Sequence, residues 1–326
     1  LVSLDRINLL MSDRLRELSS INNTLYEFLL PSEQTQREEK VIHHVILKAD
    51  VRDSTTLTRT LIERGLNPAS YFSLNFYDPI NKLLPKYEAT KVFVEGDAVI
   101  LALFGFEGRQ VFPVARTCVL AREMVLIVRA YNERSRRDGL PTLELGIGIS
   151  FQDSSPLYLM DAGHRIMISK ALNESDRLSG CNKGARLFIK PGSNVFSVYS
   201  FKTVEDEDTG GNPDEFLMRY NVGGIHLNEA GFQALQREIT LDSDELPLHT
   251  VFGIEPVRLH FGLVPLGNGI FHKIVLREAL IAAIDATNFS LKSYTERRYF
   301  EVCTNQQIND LLDARAESPK AATSVT

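Results

Sequence analysis

The sequence predicts an α/β fold, an α+β sandwich in which a mixed sheet is flanked by helices. Two observations support this fold class. From Val41 onward, apolar strand-like runs alternate with helical patterns. Two of these strand-like runs end at or next to an aspartate, Asp50 after the first run and Asp97 after the run that begins at Lys91. The predicted organisation is an N-terminal coiled-coil helix (1–30), a central domain (41–226), a small β-rich C-terminal unit (240–317) and a disordered tail (318–326).

The composition is typical of a globular protein and does not favour nucleic acid as a partner. The 326 residues are 44% hydrophobic and 24% charged, which fits one large domain or two. The formal net charge is −6 and no basic stripe stands out. Three scattered cysteines and the lack of a signal peptide favour a cytoplasmic location. Because the chain starts at Leu1 and not at Met, we expect it to be part of a longer protein with an upstream sensor or membrane region.

Residues 1–30 carry apolar side chains at alternating spacings of three and four, the seam of a left-handed coiled coil. The members are Leu4, Ile7, Met11, Leu18, Ile21, Leu25 and Phe28. Pro31 ends the helix, and a polar, Glu-rich connector follows at 32–40. An amphipathic helix packed on its own domain is the alternative.

The elements after Val41 are predicted in order from periodicity and turn residues. Up to residue 151 they are a strand ending at Asp50, helices at 56–64 and 68–84, a hairpin at 91–104, a helix at 114–136 and a strand at 143–151. A helix at 162–178, a strand at 186–189 and a hairpin of 195–203 with 216–222 follow. Beyond Gly224 we expect a helix at 228–238, an acidic linker at 240–248, strands at 257–266, 271–280 and 298–303, and a helix at 306–316.

The two strand-end aspartates are candidate metal ligands. Asp50 precedes a Ser/Thr-rich turn, and Asp97 lies in a tight turn with Gly96. Two carboxylates held on adjacent strands can share divalent cations, and Mg²⁺ and Mn²⁺ prefer such oxygen ligands. Alternatively, Asp50 is a helix N-cap and Asp97 an ordinary turn residue.

Four segments together resemble the catalytic domains of class III nucleotidyl cyclases. They are Ala49-Asp-Val-Arg-Asp-Ser-Thr, Glu95-Gly-Asp-Ala-Val, Leu143-Glu-Leu-Gly-Ile-Gly-Ile-Ser and Ser169-Lys-Ala-Leu-Asn-Glu-Ser-Asp-Arg-Leu-Ser-Gly. The first two are similar to the family's metal-binding segments, the third to its central strand and the fourth to its catalytic helix. Their order and spacing within residues 41–222 carry the resemblance.

The resemblance implies that an NTP is converted to a 3′,5′-cyclic nucleotide and pyrophosphate with two Mg²⁺ or Mn²⁺ ions per site. The implied metal ligands are Asp50, the Val51 carbonyl and Asp97. Ser54, Thr55 and Thr56 would cradle the β- and γ-phosphates at a helix N-terminus. Lys202 is the nearest candidate for a lysine that meets the terminal phosphates, although its position favours an ordinary exposed strand residue.

Asn173 and Arg177 lie one helical turn apart and resemble the residues that orient the ribose and stabilise charge on the α-phosphate. In the family they come from the subunit opposite the aspartates, so the resemblance implies a head-to-tail homodimer with two equivalent sites. The alternative is that both residues belong to a solvated helix face.

The sequence departs from the family pattern at three positions. Asp53 lies three residues after Asp50, where the family usually has glycine, and Phe93 and Ile166 occupy the positions that read the base. Phe93 could stack on a base or belong to the core, so the base stays open. These departures motivate an alternative function, a catalytically idle cyclase homologue that binds a nucleotide or supports dimerisation. A two-metal phosphodiesterase is a third possibility, although the sequence lacks His-Asp ligand clusters.

Overall fold

The computed structural model describes residues 40–161, 164–189, 194–203, 217–267 and 269–317. The predicted coiled coil at 1–30 and the predicted tail at 318–326 lie outside these residues. Within the described ranges, no helix combines the length and hydropathy needed to cross a membrane.

The strands fall in three groups along the chain. The first group is β1 (Val41–Val51), β2 (Thr90–Glu95), β3 (Ala98–Phe106), β4 (Leu145–Gln152), β5 (Leu157–Asp161) and β6 (His164–Ile168). The second is β7 (Val198–Thr203), β8 (Met218–Asn221) and β9 (Gly224–Leu227). The third is β10 (Asp242–Thr250), β11 (Gly253–Pro265), β12 (Phe271–Ile284) and β13 (Leu291–Val302).

The helices flank these strands. The first four are α1 (Ser54–Glu63), α2 (Pro68–Phe72), α3 (Asp78–Asn81) and α4 (Leu84–Tyr87), with a π-helical turn at Ser73–Tyr77 between α2 and α3. The remaining helices are α5 (Pro113–Arg137), α6 (Lys170–Ser179), α7 (Lys183–Phe188), α8 (Glu229–Glu238) and α9 (Gln306–Glu317).

One mixed sheet organises the described part of the chain. Its strand order is β10-β11-β12-β13-β9-β4-β1-β3-β2, and β7 joins it by pairing with β12 and β8. The β1 strand is antiparallel to both β3 and β4, whereas β4 and β9 are parallel. Strands β5 and β6 form a separate hairpin. This mixed sheet with flanking helices confirms the predicted fold class.

Successive side chains of β1 point to opposite faces of the sheet, and each face is covered by a helix. Val45 and Leu47 share a buried cluster with residues of α5 such as Val119. Ile46 points to the other face and packs with Ala171 of α6. Because successive strand residues face opposite sides, this one strand anchors both helical layers.

Helix α6 lies unusually close to the sheet because Gly148 has no side chain. A Cβ at Gly148 would come within 2.1 Å of the Ser175 carbonyl oxygen. Ser169 starts this helix, since its hydroxyl accepts a hydrogen bond from the Ala171 amide. The glycine and the cap together fix the position of the predicted catalytic helix.

Two predicted elements before residue 190 are wrong. The strand expected at 186–189 is helix α7, which starts because the Asn182 side chain accepts hydrogen bonds from the Gly184 and Ala185 amides. The helix expected at 162–178 begins only at Lys170. Residues 164–168 form β6, which pairs with β5, since a short apolar run suits either structure until a partner strand decides.

The acidic linker expected at 240–248 is also wrong, because these residues belong largely to strand β10. Leu246 and Leu248 are buried and alternate with exposed residues, a pattern masked by the surrounding acidic side chains. Pro247 is tolerated because β10 lies at the edge of the sheet.

The residues predicted as a C-terminal unit, 240–317, supply strands to the common sheet. Strand β13 pairs with β9, with Phe300 opposite Leu227. Leu276 and Val302 share a buried cluster with Ile147 of β4. The sheet therefore continues across the predicted boundary near residue 240. The division into domains stays a prediction.

Candidate functional site

The structure brings Asp50 and Asp97 to the same edge of the sheet. Asp50 is the penultimate residue of β1 and pairs with Ala98 of β3. The Val51 amide donates a hydrogen bond to the Asp97 carbonyl at 3.2 Å. Gly96 adopts φ 56°, which allows the tight turn that presents Asp97 beside β1. Both aspartates therefore lie at neighbouring strand ends, and their role as metal ligands stays a prediction.

The surroundings of Asp50 act on its pKa in opposite directions. Burial raises the pKa of Asp50, and the neighbouring negative charge of Asp97 raises it further. The positive charges of Arg52 and Lys48 act in the opposite direction on the same pKa. A divalent cation between the two carboxylates would relieve their mutual repulsion.

Arg52 is a contact of Asp50 that the sequence interpretation missed. Its Nη1 lies 2.7 Å from an Asp50 carboxylate oxygen, and its Nε donates to the Asn221 carbonyl at 3.0 Å. Gly146 makes room for it, since a Cβ there would meet the guanidinium at 1.6 Å. The signal was available, because residues two apart in a strand or at its end tend to share a face.

The turn after Asp50 presents the start of α1 to solvent. The first backbone hydrogen bond of this helix runs from the Leu57 amide to the Asp53 carbonyl. No side chain caps the helix. The amides of Ser54, Thr55 and Thr56 therefore have no intrahelical acceptor. A helix start of this kind is suited to binding phosphate oxygens.

Asp53 keeps the backbone conformation that glycine adopts most easily. Its φ of 51° and ψ of 32° are left-handed, a region that aspartate tolerates better than most residues. Its carboxylate lies 2.6 Å from Arg186, which also pairs with Glu144 at 2.7 Å. The carboxylate that departs from the family pattern is thus paired with a cation that it shares with Glu144.

The donor set suits a cation that shares ligands with a substrate. Among the described residues, no group of three or more His, Cys, Asp or Glu side chains could hold a metal ion alone. Asp50 and Asp97 supply two hard carboxylates, and the Val51 carbonyl remains a predicted third ligand. Mg²⁺ commonly binds through one or two carboxylates together with substrate phosphates, so the residues fit such an ion.

Asn173 and Arg177 lie on α6 but are not directed to the aspartates of their own chain by the described contacts. Asn173 is exposed. Asp176 is the residue of this helix that reaches toward β1, where it pairs with Lys48 at 2.5 Å. Arg177 lines a cavity whose wall also includes His226 of β9 and Tyr299 of β13.

The residues at the predicted base-reading positions are exposed. Phe93 on β2 is 58% accessible and Ile166 on β6 is 44% accessible, so the core interpretation of Phe93 is wrong. Lys202 is half-buried on β7, opposite Ala283 of β12, and no contact within the described ranges joins it to Asp50.

Phe93 and Ile166 belong to a larger exposed apolar face on the β2–β3 and β5–β6 hairpins. We call this surface the apolar face, and its members are Phe93, Leu157, Ile166 and Ile168. Beneath it, Met167 packs with Ile46 of β1. Several large apolar side chains grouped in this way are typical of a surface that contacts another protein.

No protein-family model and no curated protein matches this chain. Among solved structures, it is similar to the guanylyl cyclase Cya2, at 15% identity and a TM-score of 0.42, over 77% of this chain and 97% of that one. It is also similar to the guanylate cyclase domain of RhGC from Catenaria anguillulae, at 12% identity and a TM-score of 0.41, over 69% and 99%.

A third similar structure is the adenylyl cyclase CyaB from P. aeruginosa, at 14% identity and a TM-score of 0.41, over 72% of this chain and 100% of that one. All three are adenylyl or guanylyl cyclases, the class that the sequence motifs resemble. At this identity and TM-score, function has to be argued from the residues of this chain.

Proposed function

We propose that the protein is a nucleotidyl cyclase that forms a 3′,5′-cyclic nucleotide and pyrophosphate from an NTP. The observation that carries the proposal is the juxtaposition of Asp50 and Asp97, joined through the Val51 amide and the Asp97 carbonyl at 3.2 Å. The uncapped start of α1, which follows Asp50 in the chain, supports phosphate binding beside the proposed cations.

Each part of this site has a role in the proposed reaction. Asp50 and Asp97 would hold two Mg²⁺ or Mn²⁺ ions, which when bound lower the pKa of the ribose 3′-hydroxyl and offset phosphate charge. The amides of Ser54, Thr55 and Thr56 would bind the β- and γ-phosphates of the substrate. To admit cations, Asp50 must loosen its ion pair with Arg52.

Asn173 and Arg177 would complete the site from a second copy of the chain. In that arrangement Asn173 orients the ribose, and Arg177 stabilises the charge that develops on the α-phosphate. The apolar face supports a homodimer, because a second copy would cover its exposed side chains. Phe93 could stack on the base, whereas the apolar side chain of Ile166 makes no hydrogen bond that would select one.

The test is turnover by the purified full chain with Mn²⁺ and, in turn, ATP, GTP, CTP and UTP, with products identified by chromatography. We expect one or more cyclic products and a loss of at least about 100-fold for Asp97→Ala. Absence of a cyclic product from all four nucleotides would refute the proposal.

Mixing inactive variants tests the two-chain site. An equal mixture of Asp97→Ala and Arg177→Ala chains should regain about a quarter of the wild-type rate, because half of the dimers carry one intact site. The matched control mixes Asp50→Ala with Asp97→Ala, which disable the same half-site and should give no recovery. Equal recovery in both mixtures would contradict the head-to-tail arrangement.

The alternative function, an idle homologue that binds a nucleotide or supports dimerisation, is favoured by one observation. The Arg52–Asp50 ion pair already supplies Asp50 with a positive partner at 2.7 Å. Nucleotide binding that survives Asp97→Ala, without turnover, would favour this alternative.

A further inference from the structure

The turn formed by Gly96 and Asp97 is held at the two carbonyl groups that flank Asp97. The Tyr77 hydroxyl donates a hydrogen bond to the Gly96 carbonyl, which belongs to the peptide bond before Asp97. The Val51 amide donates to the Asp97 carbonyl at 3.2 Å, which belongs to the peptide bond after it. Since both backbone dihedral angles of Asp97 lie between these two planar peptide units, the two hydrogen bonds fix the backbone from which its carboxylate projects.

The two hydrogen bonds come from different layers of the protein. Val51 is the last residue of β1 and follows Asp50, so its backbone ties the turn to the strand that carries the first aspartate. Tyr77 is the last residue of the π-helical turn Ser73–Tyr77, which belongs to the helical layer. Because Val51 acts through its backbone amide, Tyr77 supplies the side-chain contact of the pair.

The Tyr77 ring is held in place by the core beneath it. Tyr77 is half-buried and packs against the cluster that contains the fully buried Phe76. The ring centroids of these two residues lie 5.0 Å apart. Phe72 and Ile80, one on each side of the π-helical turn, are also buried. With its ring packed in this way, Tyr77 loses little further conformational freedom when its hydroxyl binds the turn.

The backbone irregularity that ends at Tyr77 is stabilised by a side chain. The Asn75 side-chain amide donates to the Tyr71 carbonyl at 2.8 Å, a bond that the backbone amide of the same residue would make in an α-helix. In a π-helical turn the backbone hydrogen bonds span five residues instead of four, and such turns are frequent at functional sites. Here the widened turn ends at the residue whose side chain reaches Gly96.

Tyr77 acts on the turn as a neutral donor. Burial raises the pKa of Tyr77, and the neighbouring negative charge of Asp97 raises the same pKa further, so the hydroxyl keeps its proton near neutral pH. A neutral hydroxyl fixes the turn without competing with a cation for the carboxylate. Arg52 differs in this respect, because its guanidinium pairs directly with Asp50 at 2.7 Å.

We propose that Tyr77 is a positioning residue for Asp97, holding the turn at Gly96 so that the carboxylate can share a divalent cation with Asp50. This inference rests on the proposed function, which takes both aspartates as metal ligands. Without the hydroxyl, the peptide unit before Asp97 is free to rotate, and the carboxylate samples positions that do not favour the cation. No metal ligand is lost, so the expected effect is weaker binding and not its abolition.

The test is Mn²⁺ binding to the full chain without nucleotide, measured at fixed pH by electron paramagnetic resonance of free Mn²⁺. Tyr77→Phe removes only the hydroxyl and should weaken Mn²⁺ binding about fivefold, the fold-change that corresponds to one neutral hydrogen bond. Tyr71→Phe is the matched control, because Tyr71 lies in the preceding helix α2 and donates its hydroxyl to the Pro141 carbonyl in the segment before β4. It should bind Mn²⁺ as the wild type does.

Two further measurements separate positioning from a purely structural role. In urea denaturation, we expect the free energies of unfolding of Tyr77→Phe and Tyr71→Phe to fall by similar amounts, since each variant loses one hydroxyl–carbonyl hydrogen bond. In the turnover assay, Tyr77→Phe should need about fivefold more Mn²⁺ for its half-maximal rate, whereas Tyr71→Phe should not.

Wild-type affinity of Tyr77→Phe for Mn²⁺ would overturn the proposal. An equal loss of affinity in Tyr71→Phe would also overturn it, because the effect would then come from a general loosening of the helical segment. The absence of Asp97-dependent Mn²⁺ binding in the wild type would do the same. Asp97-dependent binding that weakens in Tyr77→Phe, in a chain that forms no cyclic product, would refute the proposed function and support this inference.

Discussion

Two arginine–carboxylate pairs in this protein differ in their exposure to solvent. Arg52 pairs with Asp50 at 2.7 Å at a strand end, where the Asp50 side chain is 28% exposed. Arg277 pairs with Glu301 at 3.4 Å between β12 and β13, where the side chains are 3% and 4% exposed. The first pair can exchange its partner for a cation from solvent, whereas the second cannot without opening the sheet.

The second pair is enclosed by aromatic rings. The Arg277 guanidinium lies 4.2 Å from the ring centroid of Phe196 and 4.7 Å from that of Tyr199, and it donates to the Tyr299 hydroxyl. Glu301 also accepts a hydrogen bond from the Ser197 amide at 2.7 Å. Nearly every polar group of this cluster is therefore satisfied internally.

Burial raises the pKa of both carboxylates. It raises that of Glu301 to about 7 against the opposing charge of Arg277, and it is also the main cause of the raised pKa of Asp50. A shifted pKa therefore does not distinguish the candidate site from a structural pair. The distinction lies in access, because only Asp50 has an exposed side and a second carboxylate beside it.

The largest expected effect is on stability, from Arg277→Ala. The substitution removes the cationic partner of the buried Glu301, which must then stay charged without it or take up a proton, and it also removes the contacts of Arg277 with the surrounding rings. We expect a loss of about 3–5 kcal/mol in the free energy of unfolding. Urea denaturation followed by circular dichroism would measure it.

Arg258→Ala is the control for that prediction, since Arg258 is 53% exposed and lies 3.8 Å from Glu245. It should cost no more than about 1 kcal/mol. The double variant Arg277→Met with Glu301→Leu should recover much of the loss, because it removes both buried charges. If Arg277→Ala were as stable as Arg258→Ala, burial of the Arg277–Glu301 pair would not make it more important for stability than an exposed pair.

A smaller effect is expected from Arg52→Ala, on metal affinity. Without Arg52, a cation no longer competes with a guanidinium for Asp50, so we expect Mn²⁺ to bind up to about tenfold more tightly. Electron paramagnetic resonance of free Mn²⁺ would measure it at fixed pH. Arg186→Ala is the control, because Arg186 pairs with Asp53 and Glu144 and not with Asp50. Weaker Mn²⁺ binding by Arg52→Ala would mean that Arg52 positions the carboxylate for metal.

Part of the local geometry of the candidate site could be predicted from the sequence because short segments determine it. The apolar run before Asp50 and the Gly96-Asp97 turn each mark a strand end, and the β2–β3 hairpin follows directly from the turn. The pairing of β1 with β3, which brings the two ends together, is a long-range contact that neither segment specifies. The helix that starts at Ser54 follows from its Ser/Thr-rich turn. What each of these residues does in catalysis stays a prediction.

The cavity and the buried pair could not be predicted because distant segments create them. His226 meets Tyr299 only because β9 pairs with β13, some 70 positions later in the chain. The predicted helix at 162–178 included Ile166, which instead lies on strand β6 of an exposed hairpin. Periodicity describes one segment at a time and does not show which strands become neighbours.

The smallest expected effect concerns Asp53, the position at which the sequence departs from the family pattern. Asp53→Gly removes an exposed ion pair with Arg186, a loss of less than about 1 kcal/mol, and relieves a left-handed backbone conformation, a gain of similar size. We therefore expect the free energy of unfolding to change by no more than about 0.5 kcal/mol. Asp53→Val, which loses the same ion pair but strains the backbone further, should destabilise by about 1–2 kcal/mol. Equal free energies of unfolding for the two variants, measured by urea denaturation, would show that the backbone conformation at Asp53 has no influence on stability. A large loss of stability in Asp53→Gly would instead mean that the ion pair with Arg186, and not the turn, holds α1 beside Asp50.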